Sequence, residues 1–450
     1  MKYMTPFFAI ALGLAAAAAQ APQQAPPPQQ PTDVATVING GAGGPPRLAL
    51  PPFLALSSDA DTVAAAKAIS EVLWDDLNYE NEFNFVARDV NATIPAAKTI
   101  DDVPFDRWLQ VEADGVISGS VQKSGTGFLI KYRLFDVKSR RAVISMEYSG
   151  SSNARRYAHT ISDEIFLKQR NLKGVARTKL AFTSDRDGER LAGTIEARNV
   201  KEIYISDYDG QGQQRVTVGR TLNAFPAWSP DARSLAYVSW RRGQPNIFVS
   251  HIYDGTLDEF TKGAGENYLP AWSPDGTRVA FSSTRDGNTE IYVANKDGSN
   301  LRRLTNSPAI DTTPTWSPTG NEIAFVSDRS GSPQIYVMPA DGLGAPQRLT
   351  AESYADKPTW SPAPFNEIAF ESRTGARFDI KILDMSTRQV KQLTFGEGSN
   401  ESPSFAPNGR HLAFMSDRTG KFQIWTMTRD GRNLRQITRA GTNTLPSWSN

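Results

Sequence analysis

The sequence contains no cysteine and only three histidines, His159, His251 and His411. The lack of cysteine excludes disulfides, zinc–thiolate sites and cysteine nucleophiles, and three histidines leave little for metal binding or imidazole catalysis. Neither sign of charge is in excess, because 49 Lys and Arg residues oppose 48 Asp and Glu residues. No bulk field therefore favours nucleic acid or an anionic membrane as a partner. We expect no cofactor and no metal site.

Long apolar runs are also missing, apart from a short one near the start. Lys2 is followed by an apolar stretch from Phe7 to Ala15 and by small residues that end in AQA at Ala21. This order is typical of a secretory signal peptide over residues 1–21, and the run is shorter than the ~20 residues that span a membrane. The sequence therefore predicts an exported protein.

Two regions that differ in composition and periodicity lie between the signal peptide and residue 172. Residues 22–44 are rich in Pro, Gln and Gly and form a spacer that cannot bury a core. Residues 45–171 alternate helical and strand periodicity, with a long helix opened by Ser58 or Asp59 as the cap and a second one reading ARRYAHTISDEIFLKQR. This pattern predicts a small α/β domain with a mixed sheet and helices on one face. A hinge at residues 172–178 follows.

Residues 179–450 repeat a motif of the type PAWSPDG. Its prolines recur every 43–45 residues, at Pro226, Pro270, Pro314, Pro358, Pro403 and Pro446. This period is typical of four-stranded propeller blades. The first blade lacks a Pro-x-Trp strand, while the last copy, PSWSN, has no blade after it. The sequence therefore predicts a six-bladed β-propeller in which the C-terminal strand completes the first blade and leaves no free edge.

The motif residues have structural interpretations. The tryptophans fill the gaps between blades, the serines beside them belong to the turns, and each arginine of the S-x-R loops pairs with the neighbouring Asp. An enzyme is disfavoured, because no G-x-S-x-G motif is present. We also expect no serine–acid arrangement around His251 or His411, and only a structural contact between His159 and Asp163.

One face of the propeller is predicted to carry the second-to-third loops and the connections between blades. Three residues before each proline lies Asn or Asp in five of the six copies, which we expect to ring the mouth of the channel: Asn223, Asn267, Asp311, Asn400 and Asn443. Local capping explains any single Asn. The residues around them vary between repeats while the motif stays constant, and this pattern favours a binding function for the face as a whole.

The chain as a whole resembles the TolB family of periplasmic propeller proteins. The segments PPFLALS, VISGSVQ…YRLFDV and RRYAHTISDEIF carry this resemblance, which spans residues 33–450. It implies a non-enzymatic component of the Tol-Pal system, located in the periplasm, that supports outer-membrane constriction at division and envelope integrity. Proteins of this family bind the lipoprotein Pal at the propeller mouth and TolA through the N-terminal segment. Some bacteriocins use the same propeller site.

Carried onto this sequence, the resemblance implies Pal contacts at Glu266, Asn267, Leu269, Asp311 and Thr312, and further contacts at Asn223, Asn400 and Asn443. It implies a TolA contact through Asp33, Val34, Ala35, Thr36, Val37 and Ile38. This short β-prone segment is suited to adding as a strand to a partner's sheet, or it could fold back on its own domain. We expect a monomer that reaches membranes only through its partners. Two alternatives remain: a propeller that binds a sugar or peptide in its channel, and an accessory subunit of an envelope peptidase.

Overall fold

The structure, a computed structural model, describes residues 36–190, 200–263 and 265–450. The predicted signal peptide, most of the predicted spacer, and Asp33, Val34 and Ala35 lie outside the described residues. Residues from Val37 to Asn450 group into one unit, which contains an α/β domain and a propeller. None of the described helices is long and apolar enough to cross a membrane.

The α/β domain is built on a six-stranded mixed sheet. Its strand order is β3-β1-β4-β5-β6 with β2 beside β4, and the pairs that involve β1 and β2 are parallel whereas β4, β5 and β6 are antiparallel. The elements are β1 (Arg47–Ala49), β2 (Leu54–Ala55), α1 (Ala60–Glu80), β3 (Asn84–Phe85), α2 (Arg88–Thr93), α3 (Phe105–Gln110), β4 (Gly115–Ser124), β5 (Gly127–Asp136), β6 (Arg141–Ser151) and α4 (Ala154–Arg170), after a 3-10 turn at Gly41–Gly43. Asp59 caps α1, as predicted, by accepting from the Thr62 backbone N–H.

Helices cover both faces of this sheet, so the prediction of helices on one face was wrong. Ile117 of β4 packs in the core that contains α1 and α4, whereas its neighbour Val116 packs with Trp108 of α3 and Val90 of α2 in a second core. Consecutive strand residues point to opposite faces of a sheet, so the two cores lie on opposite sides. Helices of six residues, such as α2 and α3, are too short for periodicity to assign them a face.

The propeller consists of six four-stranded antiparallel sheets. We number the blades in chain order and give each from its inner to its outer strand. Blade 1 contains β30 (Asn443–Trp448), β7 (Lys179–Ser184), β8 (Glu202–Asp207) and β9 (Gln214–Arg215). Blades 2 and 3 contain β10 (Asn223–Trp228), β11 (Ser234–Ser239), β12 (Asn246–His251) and β13 (Leu257–Glu259), then β14 (Asn267–Trp272), β15 (Arg278–Ser283), β16 (Glu290–Asn295) and β17 (Arg302–Arg303).

The remaining blades repeat this order. Blade 4 contains β18 (Asp311–Trp316), β19 (Glu322–Ser327), β20 (Gln334–Pro339) and β21 (Gln347–Arg348). Blades 5 and 6 contain β22 (Ala355–Trp360), β23 (Glu367–Thr374), β24 (Arg377–Asp384) and β25 (Val390–Gln392), then β26 (Asn400–Phe405), β27 (His411–Ser416), β28 (Gln423–Thr428) and β29 (Arg435–Gln436). The predicted six-bladed propeller and its closure by the C-terminal strand are confirmed, since β30 pairs with β7.

The motif tryptophans pack between blades, as predicted. The indole Nε1 of Trp316 donates to the carbonyl of Ala271 in the preceding blade at 3.0 Å, and Trp272 repeats the contact with Ala227 at 3.2 Å. The second strands between the tryptophans are buried on both faces, because each blade is covered by its two neighbours. Each tryptophan thus sets the spacing between two blades, since its ring fills the gap and its indole N–H is fixed by a hydrogen bond.

The α/β domain contacts the propeller on the face that carries the first-to-second and third-to-fourth turns. The ring of Tyr79 stacks on His411 of blade 6 with centroids 4.5 Å apart. Glu80 accepts from the Val175 backbone N–H at 2.8 Å and lies near the Asn408 amide; burial raises the pKa of Glu80 to about 8. Val175 is itself buried in this interface, so the segment predicted as a hinge is packed there.

Candidate functional site

The channel is shaped by a bulge that recurs in all six inner strands. The residue before the motif proline has a positive φ of 51–56° in each: Phe225, Leu269, Thr313, Lys357, Ser402 and Leu445. At the same place the pairing with the second strand shifts register. A left-handed conformation costs a non-glycine residue about 1–3 kcal/mol, so six repetitions mean that packing imposes it. The bulge turns these six side chains towards the axis.

These side chains and the six motif prolines line a section of the channel with a volume of about 120 Å³. This space is small beside the ~300 Å³ or more of typical small-molecule sites. Phe225, Leu269 and Leu445 make part of the wall apolar, whereas Thr313 and Ser402 are polar. Lys357 carries the one charge among the twelve lining residues.

The rim of this section has a charged half. Asp356 of blade 5 accepts from the Tyr354 hydroxyl at 3.0 Å and from the Thr313 hydroxyl at 3.1 Å. Glu371, also in blade 5, accepts from the Ser402 backbone N–H at 2.8 Å. Burial raises the pKa of Glu371 to about 8, which favours its neutral form near pH 7.

The five Asn and Asp residues predicted to ring the mouth are instead fully buried between blades. In blade 3 the Asn267 amide donates to Asn246 of blade 2 at 2.9 Å, and its oxygen accepts from Arg285 of its own blade at 2.9 Å. The same bridge recurs at Asn400 and at Asn443. These side chains therefore join neighbouring blades, a role that neither capping nor partner contact had suggested.

The loop arginines serve the same bridge, so their predicted pairing with the neighbouring Asp is corrected. Arg329 donates to Ser327 Oγ at 2.8 Å and to Asp311 at 2.7 Å, and its guanidinium lies over the rings of Phe325 and Tyr336. Arg186, Arg285 and Arg418 make equivalent contacts with a serine and an Asn. In blade 3 the neighbouring Asp286 accepts from Tyr292 instead.

The other predicted contact residues lie at the mouth. Glu266 is exposed and accepts from the Tyr268 hydroxyl at 2.5 Å. Leu269 lines the channel, and Thr312 is half-buried with its hydroxyl 3.2 Å from that of Ser282. Three apolar side chains on connections between blades are also exposed: Val218, Ile310 and Phe395. Of the six side chains that line the channel before the motif prolines, only Leu269 was a predicted contact residue, although the residue at this position visibly varies between the repeats.

The described part of the predicted TolA segment, residues 36–38, is partly exposed and partly buried. Thr36 and Val37 are exposed, whereas Ile38 is 1% exposed and belongs to the core of the α/β domain. The Ile38 backbone N–H donates to Gln169 of α4 at 2.9 Å. The segment is thus anchored at its C-terminal end.

A serine and an acid do flank His251, contrary to the expectation from sequence. Ser234 Oγ lies 2.9 Å from His251 Nδ1, and Asp258 lies 2.9 Å from Nε2, beside a groove of about 780 Å³ between blades 2 and 3. Catalytic triads bury the acid and bind the serine through Nε2, whereas the Asp258 side chain is 73% exposed and the serine faces Nδ1. The Ser234 backbone N–H donates to Ser229 and so cannot stabilise an oxyanion. The arrangement matches a cross-strand polar contact.

Among the described residues, no group of three or more His, Asp or Glu side chains is placed to hold a metal ion. The mouth combines a narrow channel, a rim that is partly apolar and partly charged, and exposed loops on a rigid propeller. Such a surface suits recognition of another molecule.

Comparison with known proteins agrees with this architecture. The TolB amino-terminal domain matches residues 34–143, and the TolB beta propeller domain matches residues 168–450. The Tol-Pal system protein TolB of Desulfosudis oleivorans is 35% identical over 208 residues, which are 46% of this chain and 45% of that protein. The TolB of Haemophilus influenzae strain PittGG is 30% identical over 226 residues, 49% of each chain. The chain thus spans about half the length of the curated relatives it matches.

Among solved structures, TolB from Acinetobacter baumannii superposes with a TM-score of 0.75 at 28% identity, covering 90% of this chain and 96% of that one. The relatives are named as Tol-Pal system proteins rather than as enzymes. Because the propeller domain alone accounts for more than half of the sequence, the chain belongs to the TolB family.

Proposed function

We propose that this protein is a non-enzymatic, periplasmic component of the Tol-Pal system that binds the lipoprotein Pal at the propeller mouth and TolA through residues 33–38. In this role it supports outer-membrane invagination at division and envelope integrity. The observation that carries the proposal is the position of the mouth on the face of the propeller opposite the turns that the α/β domain contacts. Family membership supports the choice of partners, and the signal peptide expected from sequence supports the choice of compartment.

Several features of the mouth are compatible with a protein partner. Val218, Ile310 and Phe395 are 50–76% exposed on the connections between blades, where a protein partner on this face would cover them. Glu266 and Thr312 stand on the same face, beside the channel. A sugar at the mouth, one of the two channel ligands considered from sequence, is disfavoured because this section has only about 120 Å³, whereas the opposite end of the channel has about 310 Å³.

Calorimetric titration of the mature protein with the soluble domain of Pal from the same organism tests the Pal contact. We expect saturable binding that Glu266→Ala and Thr312→Ala each weaken several-fold, as truncation of interface residues commonly does. Glu322→Ala is the matched control, because Glu322 is equally exposed but lies at the turn face, where β19 begins. No binding at ~100 μM Pal, a weak affinity for a specific interface, would overturn the Pal proposal. Binding unaffected by both substitutions would move the contact away from this rim.

A deletion of residues 33–37 tests the TolA contact. It leaves Ile38 in place, because removal of this buried side chain would disturb the α/β core. We expect the deletion to abolish binding of the soluble part of TolA in a titration, while Pal binding and the unfolding midpoint stay unchanged. Retained TolA binding would show that another surface makes the contact.

A further inference from the structure

Lys357 reaches across the channel. It belongs to blade 5, yet its Nζ lies 5.1 Å from the centroid of the Phe225 ring in blade 2. In a ring of six blades these two are directly opposite each other. The side chain therefore crosses the narrow section, and its ammonium group lies near the wall opposite its own blade.

Lys357 makes no close ion pair with a carboxylate of the described residues, although its charge attracts Glu371 and Glu401 and opposes the rise in their pKa that burial causes. No Asp or Glu oxygen of the described residues lies within 4 Å of its Nζ, although Asp356, Glu371 and Glu401 are all at the same rim. Asp356 is held by Tyr354 and Thr313, and Glu401 accepts from Ser399 Oγ at 2.6 Å. Glu371 is buried with a raised pKa, so it offers little negative charge near pH 7. The contact with Phe225 supplies a cation–π attraction, which is weaker than a charged hydrogen bond.

The structure assigns to Lys357 the role of anchor for a single acidic side chain that the protein partner of the mouth projects into the channel. This inference rests on the proposed function and names the chemistry that the partner must carry. The 120 Å³ around the axis equals the volume of about four water molecules, which suits an Asp or Glu side chain. A chain terminus would bring main-chain atoms and its last side chain as well, and the section lacks room for them.

The apolar wall strengthens such a contact. Phe225, Leu269 and Leu445 form the apolar half of the wall on blades 1, 2 and 3, so a carboxylate that enters displaces water there and meets the ammonium in a medium of lower dielectric. Truncation of one member of a desolvated charge pair weakens binding strongly, because the other charge is left buried and unpaired. The bound acid should therefore depend on Lys357 more than on any exposed rim residue.

A double-mutant titration tests this assignment. The mature protein and its Lys357→Met variant are titrated with the soluble Pal domain and with Pal variants in which each surface Asp or Glu is neutralised in turn. We expect Lys357→Met to weaken binding at least tenfold, and one Pal substitution to weaken wild-type binding similarly but to have no effect on the variant. Lys391→Met, on the exposed outer strand β25, is the matched control.

Stability separates this effect from misfolding. Met has nearly the length of Lys, and Lys357→Met breaks no close ion pair, so the unfolding midpoint of the variant should stay near that of the wild type. If the wild type binds Pal and Lys357→Met binds it equally well, the anchor assignment is wrong while the Pal proposal stands. If no acidic position of Pal couples to Lys357, or only amidation of the Pal C-terminus does, the assignment is likewise overturned. If the wild type itself does not bind Pal, the proposed function fails first.

Discussion

Removal of residues 443–450 is expected to abolish cooperative unfolding of the propeller. This segment contains β30 (Asn443–Trp448), the inner strand of blade 1, and the two residues after it. Without it, β7 loses its pairing from Leu180 to Ser184, and its inner edge is left unpaired. Exposed edges invite association, so the truncated protein should aggregate as well as melt early. Thermal denaturation followed by tryptophan fluorescence and light scattering would measure both effects.

Several contacts make this strand more than a spacer. Trp448 is 6% exposed, and its indole donates to the Thr178 hydroxyl at 2.8 Å. Ser449 exchanges two hydrogen bonds with the backbone of Lys179 at 2.8 Å. Asn443 bridges to Arg186 of blade 1 and Gln423 of blade 6. The eight residues thus complete the sheet of blade 1, fill part of its core and form the polar bridge to blade 6.

A point variant keeps this prediction measurable if the truncated chain does not accumulate. Trp448→Ala removes a buried aromatic side chain, which costs about 3–5 kcal/mol, and each kcal/mol lowers the melting temperature of a domain this large by about 2–4 °C. Deletion of the exposed Asn450 alone is the control and should leave the melt unchanged. If the chain without residues 443–450 melted like the full protein, closure by β30 would not stabilise the ring.

The repeat period predicted that β30 closes the ring. Each blade requires four strands, the first blade has only three in its own part of the sequence, and the last motif copy has no blade of its own. The bulge before each proline was not predictable from residue type. A residue before proline normally adopts an extended conformation, yet Lys357 and its five equivalents are left-handed. Only the shifted register between the first and second strands reveals the bulge, and it is this bulge that directs the side chains to the axis.

The arginine contacts show a similar limit. Sequence neighbours suggested Asp328 as the partner of Arg329, but Ser327 pairs with Asp311 across the sheet. Arg329, two residues beyond Ser327, is therefore brought beside a residue 18 positions earlier. Likewise Ser234 and His251 are cross-strand partners, which explains their contact without catalysis. Strand register, rather than composition, decides these pairs.

The second large effect is expected from Arg329→Met in blade 4. The Asp311 side chain is fully buried, and the Arg329 guanidinium is the cation bonded to it. Removal of one member of a buried ion pair leaves an uncompensated charge and costs about 3–5 kcal/mol. Urea denaturation should report a loss of this size in the free energy of unfolding.

Blade 3 provides the matched control for this substitution. Arg285 makes the same bond to a serine and lies over a Phe and a Tyr in the same way, but its partner Asn267 is neutral. Arg285→Met therefore removes hydrogen bonds and packing without stranding a charge, and the cost should be about 1–3 kcal/mol. Equal losses in the two blades would show that the charge on Asp311 contributes nothing.

A second substitution in blade 4 isolates the charge itself. Asp311→Asn gives blade 4 the residue that Asn223, Asn267, Asn400 and Asn443 already provide elsewhere, so alone it should change the free energy of unfolding by less than about 1 kcal/mol, as an uncharged acceptor can replace the carboxylate. Combined with Arg329→Met, it should recover most of the loss, because no buried carboxylate then remains unpaired. Burial raises the pKa of Asp311 while Arg329 opposes that rise. The deficit of the single variant should therefore shrink as the pH falls and Asp311 takes up a proton, whereas the deficit of the double variant should be independent of pH. A deficit in Arg329→Met that persisted unchanged at low pH would assign the whole cost to lost packing.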